Sequence, residues 1–316
     1  MKSISLFLTH LCNAKCGFCL DSDNSRKSFL PREEWESILQ KCALVSQDCK
    51  LVLLGGEPSL HPGLVSIVCT ARDVGFQFIQ IVTNGIRLSN PKLFDEVTSA
   101  GLNIIGLSIH GATAETHDGL TAHQGAFEAI GRLLQLAERR DVLVSVNTVV
   151  TRQNLHELPD MVRWLAGQFV ACMQLAFMRP DPQMFRPFQE MACRLEESAY
   201  WVNAALDVAD ELGVPVRVEG WPMCLFGERY RHSADSSVPD TNSYDYQGDT
   251  YAHPFRFDAA FVKLSFCGRL PHCNRCMGVY RDYLATIPTA EAELRRSLVA
   301  RFPSIPFDRI TEDVID

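Results

Sequence analysis

The chain has 316 residues, 47% hydrophobic and 22% charged, with a formal charge of −8; that suits one large α/β domain or a domain with a substantial extension, and it excludes fibrous and disordered classes. No run of Lys and Arg is present to neutralise phosphates, which disfavours DNA and RNA as partners. Apolar stretches stop at strand length and residues 1–20 lack a basic leader with a long apolar core, so a cytoplasmic chain with no membrane span is expected.

In chain order, strand-length apolar runs fall at 4–9, 51–54, 78–82, 104–109, 142–150 and 173–177. Helical patterns separate them: one opened by Pro31 and reaching about residue 45, one from Pro62, and three at 94–99, 125–140 and 155–167. Such alternation builds a parallel sheet with helices outside, and right-handed crossovers curl it toward a barrel. Six repeats fall short of the eight of a complete barrel. The expectation is an α/β fold, a partial (β/α)6 TIM-like barrel over residues 1–182.

After Arg179-Pro180-Asp181-Pro182 the pattern changes. A long helix is expected at 189–212 and a short strand at 214–218. Residues 228–262, rich in Ser, Asp, Tyr and Gly, read as loops or a short hairpin, and 289–301 as a helix. Residues 183–316 are thus read as a cysteine-rich C-terminal extension.

Twelve cysteines are many for a reducing compartment, where clustered thiols point to metal or redox chemistry. Cys42, Cys49, Cys69, Cys172 and Cys193 are isolated and read as small buried hydrophobes. Cys12, Cys16 and Cys19 lie in the loop after the first strand, at the barrel end where active sites are built. Three thiolates so close can hold three irons of a cubane cluster and leave the fourth open. A structural zinc needs four ligands, and His10 is the one local candidate for a fourth. Further polar or glycine-rich segments end the next strands: Gly55-Gly56-Glu57-Pro58, Thr83-Asn84-Gly85 and Ser108-Ile109-His110-Gly111. Asn147 is polar within an apolar strand.

Cys-x3-Cys-x2-Cys with Phe18 before the last Cys resembles the signature of radical S-adenosylmethionine (SAM) enzymes, and the strand-end motifs follow in that superfamily's order over residues 1 to about 180. The resemblance implies that Cys12, Cys16 and Cys19 bind a 4Fe–4S cluster and that 55–58 holds the SAM amino group, with Glu57 accepting from the ammonium. It places Thr83 and Asn84 at the cofactor, Ser108 and Asn147 on the ribose or carboxylate, and Phe18 near the adenine. It also implies reductive SAM cleavage to a 5′-deoxyadenosyl radical, fed by an external one-electron donor such as flavodoxin or ferredoxin.

Cys224, Cys267, Cys273 and Cys276 make a second four-thiol set. They resemble the SPASM or twitch auxiliary-cluster extensions of radical SAM enzymes, which implies one auxiliary 4Fe–4S cluster. The order of spacings, five residues then two, departs from the usual pattern. Tetrahedral zinc is the alternative. His272 is read as a loop residue.

For the substrate, the expectation is a small polar metabolite (amino sugar, aminocyclitol or nucleoside) undergoing dehydrogenation or epimerisation. With a first strand starting by residue 3, no leader-peptide-binding module is expected. Epimerisation or crosslinking of a peptide is the alternative. A non-enzymatic electron carrier is disfavoured, because it has no need of the 55–58 element.

Overall fold

The computed structural model describes residues 2–21, 28–43, 46–180, 186–233, 244–247, 250–252 and 260–305. Parallel strands β1 (Lys2–Thr9), β2 (Cys49–Gly55), β3 (Phe78–Thr83), β4 (Ile104–Ser108), β5 (Leu143–Val150), β6 (Cys172–Phe177) and β7 (Val216–Glu219) lie side by side in chain order. This is the partial barrel expected, with one more strand. β7 pairs with β6 in parallel and extends the barrel sheet, whereas sequence reading left it as a short strand of the extension. Four residues bury too little on their own to show that membership.

The free edge of β1 is also covered. Strand β8 (Tyr244–Gln247) pairs with it in parallel, and β9 (Thr250–Ala252) closes an antiparallel hairpin. The hairpin reading of 228–262 holds for those residues; 234–243, 248–249 and 253–259 lie outside the described residues.

Helices α1 (Arg32–Cys42), α2 (Leu64–Asp73), α3 (Pro91–Ala100), α4 (Ala114–Thr121), α5 (Ala126–Arg139) and α6 (Leu158–Ala166) sit between the strands. α1 buries Trp35, Ile38, Leu39 and Cys42, the spacing of one helical face, with Glu33 and Glu34 on its positive end and Lys41 near its negative one. Asn90 caps α3 by accepting from the Leu93 N–H, and Pro91 sets the first turn. α4 went unread, because its eight residues bring no apolar stripe; Thr113 caps it. The expected 189–212 helix is split by an extended Ala192: α7 (Phe188–Met191) and then α8 (Leu195–Leu212).

Alternation along the strands sorts the sheet. Leu6, Leu53, Ile81, Leu107, Val146, Leu175 and Val218 are buried under the helices. The opposite face is more open than in a filled barrel: Phe78, Val82 and Leu143 are 37–49% exposed. Of the isolated cysteines, Cys42, Cys49 and Cys193 are buried as expected. Cys69, on the outer side of α2, is exposed and Cys172 is half-exposed, which corrects the uniform reading. No described helix is long and apolar enough to cross a membrane.

Candidate active site

After β1 the chain turns through residues 10–21 and is pinned on both sides. Lys15 and Gly17 N–H groups donate to the Thr121 and Leu120 carbonyls at the end of α4, at 2.9 and 3.1 Å. On the other flank, Gly56 N–H donates to Thr9 O and Glu57 N–H to Leu11 O, each at 2.7 Å. A Cβ on Gly56 would stand 2.4 Å from Leu11 O, and one on Gly55 (φ +136°) 2.1 Å from Thr9 O. The glycine pair is required by the thiol loop itself, which lies against it.

Cys12 is exposed, while Cys16 and Cys19 are half-buried. Burial, then the neighbouring Cys12 and Cys19, pushes the Cys16 thiol up to about 12. Burial likewise raises Cys12 and Cys19. Backbone N–H groups already point at sulfur: Ala14 to Cys12 and Asp21 to Cys19, both at 3.4 Å. Three thiols that burial holds protonated are the donor set that a cationic iron cluster would ionise. Among the described residues no three His, Cys, Asp or Glu are close enough to share one metal ion. A cubane shares three thiolates of one loop among three of its irons, so the donor set fits the polynuclear group.

The strand-end residues divide into two kinds. Glu57 is 0% exposed. Its Oε1 accepts from Thr83 Oγ1 at 2.7 Å and Ser59 N–H at 3.0 Å, and its Oε2 accepts from Asn84 N–H at 2.8 Å. The carboxylate thereby ties the ends of β2 and β3 together beside the thiol loop. Thr83 and Pro58 are buried with it. Asn84 reaches the loop, donating through Nδ2 to Asn13 Oδ1 at 2.8 Å and lying 3.7 Å from Cys12 Sγ.

A cleft of about 350 Å³ opens beside the loop. Phe18 and Leu20 of the loop line it, together with Asn147, Gln174, Arg179, Glu219 and Tyr280. Ser108 is the register partner of Asn147 across β4 and β5. Gln174 Nε2 donates to Glu219 Oε2 and lies 3.5 Å from Asn147 Oδ1. Sequence reading missed Gln174, Glu219, Arg179 and Tyr280. Gln174 carries the same signal as Asn147, a polar residue inside an apolar strand; the others carry none.

The second thiol set gathers at a small apolar cavity of about 20 Å³, lined by Cys224, Cys267, Cys273 and Cys276 among Phe266, Leu270 and Leu294. Cys224 sits in the turn Met223–Leu225, and the other three lie between strands β10 (Phe261–Val262) and β11 (Val279–Tyr280), which pair antiparallel. Burial first, then Cys276 and Cys267, raises Cys224; burial pushes Cys267 up to about 11. Met223 and Gly278 N–H groups donate to Cys276 Sγ at 3.4 and 3.3 Å, and Leu264 N–H to Cys267 Sγ at 3.2 Å. Apolar walls with N–H groups turned on sulfur suit an iron–sulfur cluster. His272 stacks on Tyr230, the rings 3.7 Å apart.

The fold and the loop define a partial-barrel enzyme whose thiol loop stands at the carboxyl end of its first strand. Residues 6–165 match the profile of the Radical SAM superfamily, and the chain belongs to it. That family uses a 4Fe–4S cluster and SAM. The chain is 29% identical over 164 residues to a PqqA peptide cyclase of Bradyrhizobium diazoefficiens, 51% of this chain and 42% of that protein. It is 25% identical over 259 residues to a GTP 3′,8-cyclase of Synechocystis, covering 75% of this chain and 78% of that one. The chain spans about half the length of several curated relatives it matches, 42% and 45% in two cases. In fold it resembles SuiB of Streptococcus suis bound to SAM, with TM-score 0.64, 14% identity, and 90% and 74% of the two chains covered. SuiB with its precursor peptide SuiA aligns at TM-score 0.56 and 15% identity, over 72% of this chain and 51% of that one.

Proposed function

We propose that the chain oxidises a residue of a peptide substrate by two electrons, by crosslinking or a related hydrogen-removing reaction, with Cys12, Cys16 and Cys19 holding the SAM-binding cluster. One observation carries this. The cleft is lined by Phe18 and Leu20 of the thiol loop and also by two residues close in sequence to the second thiol set: Glu219 is five positions from Cys224 and Tyr280 four from Cys276. A substrate in it would contact the segments that carry both thiol sets.

When bound, the first cluster and SAM supply a hydrogen-abstracting 5′-deoxyadenosyl radical, with an external one-electron donor, and a cluster on Cys224, Cys267, Cys273 and Cys276 supplies an electron acceptor. The chain's own residues do the rest. Phe18 and Leu20 shield the cleft on the loop side, and Asn147 with Gln174 offers amide groups to orient a peptide bond or polar side chain. Glu219, held by Gln174, is placed to take the proton that an oxidised substrate releases.

The named activity of PqqA peptide cyclase, and the precursor peptide bound to SuiB, support a peptide over the small metabolite expected from the sequence. A small polar molecule is the second reading, favoured by the cleft's volume and by the broad match to a nucleotide-acting relative. To separate them, reduced enzyme and SAM are incubated with bacterial extract, before and after protease digestion of that extract. Extract-stimulated 5′-deoxyadenosine formation should be lost on digestion, with a product two mass units lighter than its parent peptide. Stimulation that survives digestion supports the small-molecule reading instead.

A further inference from the structure

We propose that the half-exposed edge of the second thiol set is a docking surface for electron exchange, where Lys263, Arg269 and Arg275 receive an acidic one-electron carrier protein in its oxidised form. The proposal deepens the reading of Cys224, Cys267, Cys273 and Cys276 as a cluster that accepts the substrate's electron, and it rests on that reading. The electron has to leave before the next turnover. One electron passes to the carrier, and no bond in the enzyme forms or breaks.

Residues 260–281 carry Lys263, Arg269, Arg275 and Arg281 and no Asp or Glu, within a chain of formal charge −8. The first three are exposed and belong to the thiol loop itself. Arg269 ends the turn Cys267–Arg269, Arg275 lies between Cys273 and Cys276, and Lys263 lines the cavity with those thiols. Cys267, Cys273 and Cys276 are half-exposed whereas Cys224 is buried, so the set presents an outer edge on the loop that bears the cations. That loop is held in place. Lys263 Nζ donates to the Cys273 carbonyl at 2.7 Å, and the Arg275 and Cys276 N–H groups donate to His272 O at 2.9 and 3.0 Å. His272, at φ +63°, stacks its ring on Tyr230.

The two thiol sets differ in their charged neighbours. At the first, Asp21 donates its N–H to Cys19 Sγ and Glu57 donates its N–H to Leu11 O, so carboxylate residues flank the loop. At the second, Arg301 donates to Leu225 O beside Cys224, and Lys263 to Cys273 O. Cations beside a cluster stabilise its reduced, more negative state, which suits this set to take an electron. The same charges select the partner. A net charge of −8 repels an acidic protein over much of the surface, and a basic rim draws it to the thiol edge. Nucleic acid would meet the same cations, but one short basic loop on an acidic chain falls short of the stripe that phosphate binding uses.

The test uses the full, anaerobically reconstituted chain with Cys12, Cys16 and Cys19 replaced by Ala, so that the second set alone holds iron. Oxidised flavodoxin, an acidic carrier, is titrated into it by calorimetry. Flavin semiquinone is then followed by stopped flow after mixing with the pre-reduced chain, and hexaammineruthenium(III), a cationic oxidant, is the control. Lys263→Gln, Arg269→Gln and Arg275→Gln together should weaken flavodoxin binding and slow its reduction about tenfold or more at about 20 mM salt. They should also remove the salt dependence of both, and leave the reaction with hexaammineruthenium(III) as fast or faster. Iron present with flavodoxin affinity unchanged overturns the proposal alone. Zinc without iron at the second set overturns the cluster reading, and the proposal with it. If the combined variant loses iron or slows equally with both oxidants, Arg275→Glu decides: flavodoxin binding weakened about threefold or more supports the rim, and unchanged binding overturns it.

Discussion

Gln174 donates through Nε2 to Oε2 of Glu219, and the same amide nitrogen lies 3.5 Å from Oδ1 of Asn147. Three strands thereby present one polar row to the cleft, on the inner face that helices do not cover. A carboxylate oriented by a neighbour's amide keeps its geometry while a proton arrives. Replacing Glu219 by Gln retains the shape and removes the base. Product formation should fall about 10²- to 10³-fold while SAM is still cleaved. Quantifying 5′-deoxyadenosine and product in the same reaction checks this; a product-to-deoxyadenosine ratio equal to that of the parent enzyme would show that Glu219 takes no proton.

The two thiol sets should be separable by iron analysis. Reconstituted protein should hold about eight irons, and replacing Cys12, Cys16 and Cys19 together by Ala should leave about four. That variant should form no 5′-deoxyadenosine above background. Replacing Cys224, Cys267, Cys273 and Cys276 should also leave about four irons, but with SAM cleavage retained. One zinc and no iron at the second set would establish the tetrahedral alternative.

Gly56 should tolerate no side chain. The added Cβ of Gly56→Ala would stand 2.4 Å from the Leu11 carbonyl oxygen, a backbone atom with no rotamer to yield. The loop must then lift from the end of β2, losing the bonds from Gly56 and Glu57 N–H. We expect about 1–3 kcal/mol of lost stability, by denaturant titration, and loss of roughly half the iron. Gly119, where a Cβ meets nothing within 4 Å, provides the control: Gly119→Ala should keep its full iron content.

His117 supplies a pH signature. Burial pushes its imidazole down to about 4, below the ordinary value of 6.5. Between those values the unfolded chain binds a proton that the folded chain refuses. Its contribution to stability is therefore complete above pH 6.5 and declines as the pH falls toward 4, by up to about 1.4 kcal/mol per unit. His117→Gln keeps an acceptor for the His110 N–H and removes the titration. Denaturant titrations at pH 7 and pH 5 should show a smaller acid loss in the variant; equal losses would mean that His117 titrates normally.

The sequence by itself determined the thiol loop, the strand-end motifs and the alternating frame, because each is local. Cys12, Cys16 and Cys19 fall within one turn of chain, and Asn147 stands out against its own apolar strand. Membership of β7 in the sheet, and of β8 on its far edge, could not be read there. Both strands are four residues long, and their hydrogen-bond partners lie over 40 and over 200 positions away. Only the tertiary structure decided what the polar residues do. Glu57 and Glu219 are each a carboxylate at a strand end; burial under Ser59, Thr83 and Asn84 makes the first a brace, while the cleft makes the second a wall. Desolvation and hydrogen-bond geometry set that difference, and both depend on neighbours that the fold brings from elsewhere in the chain.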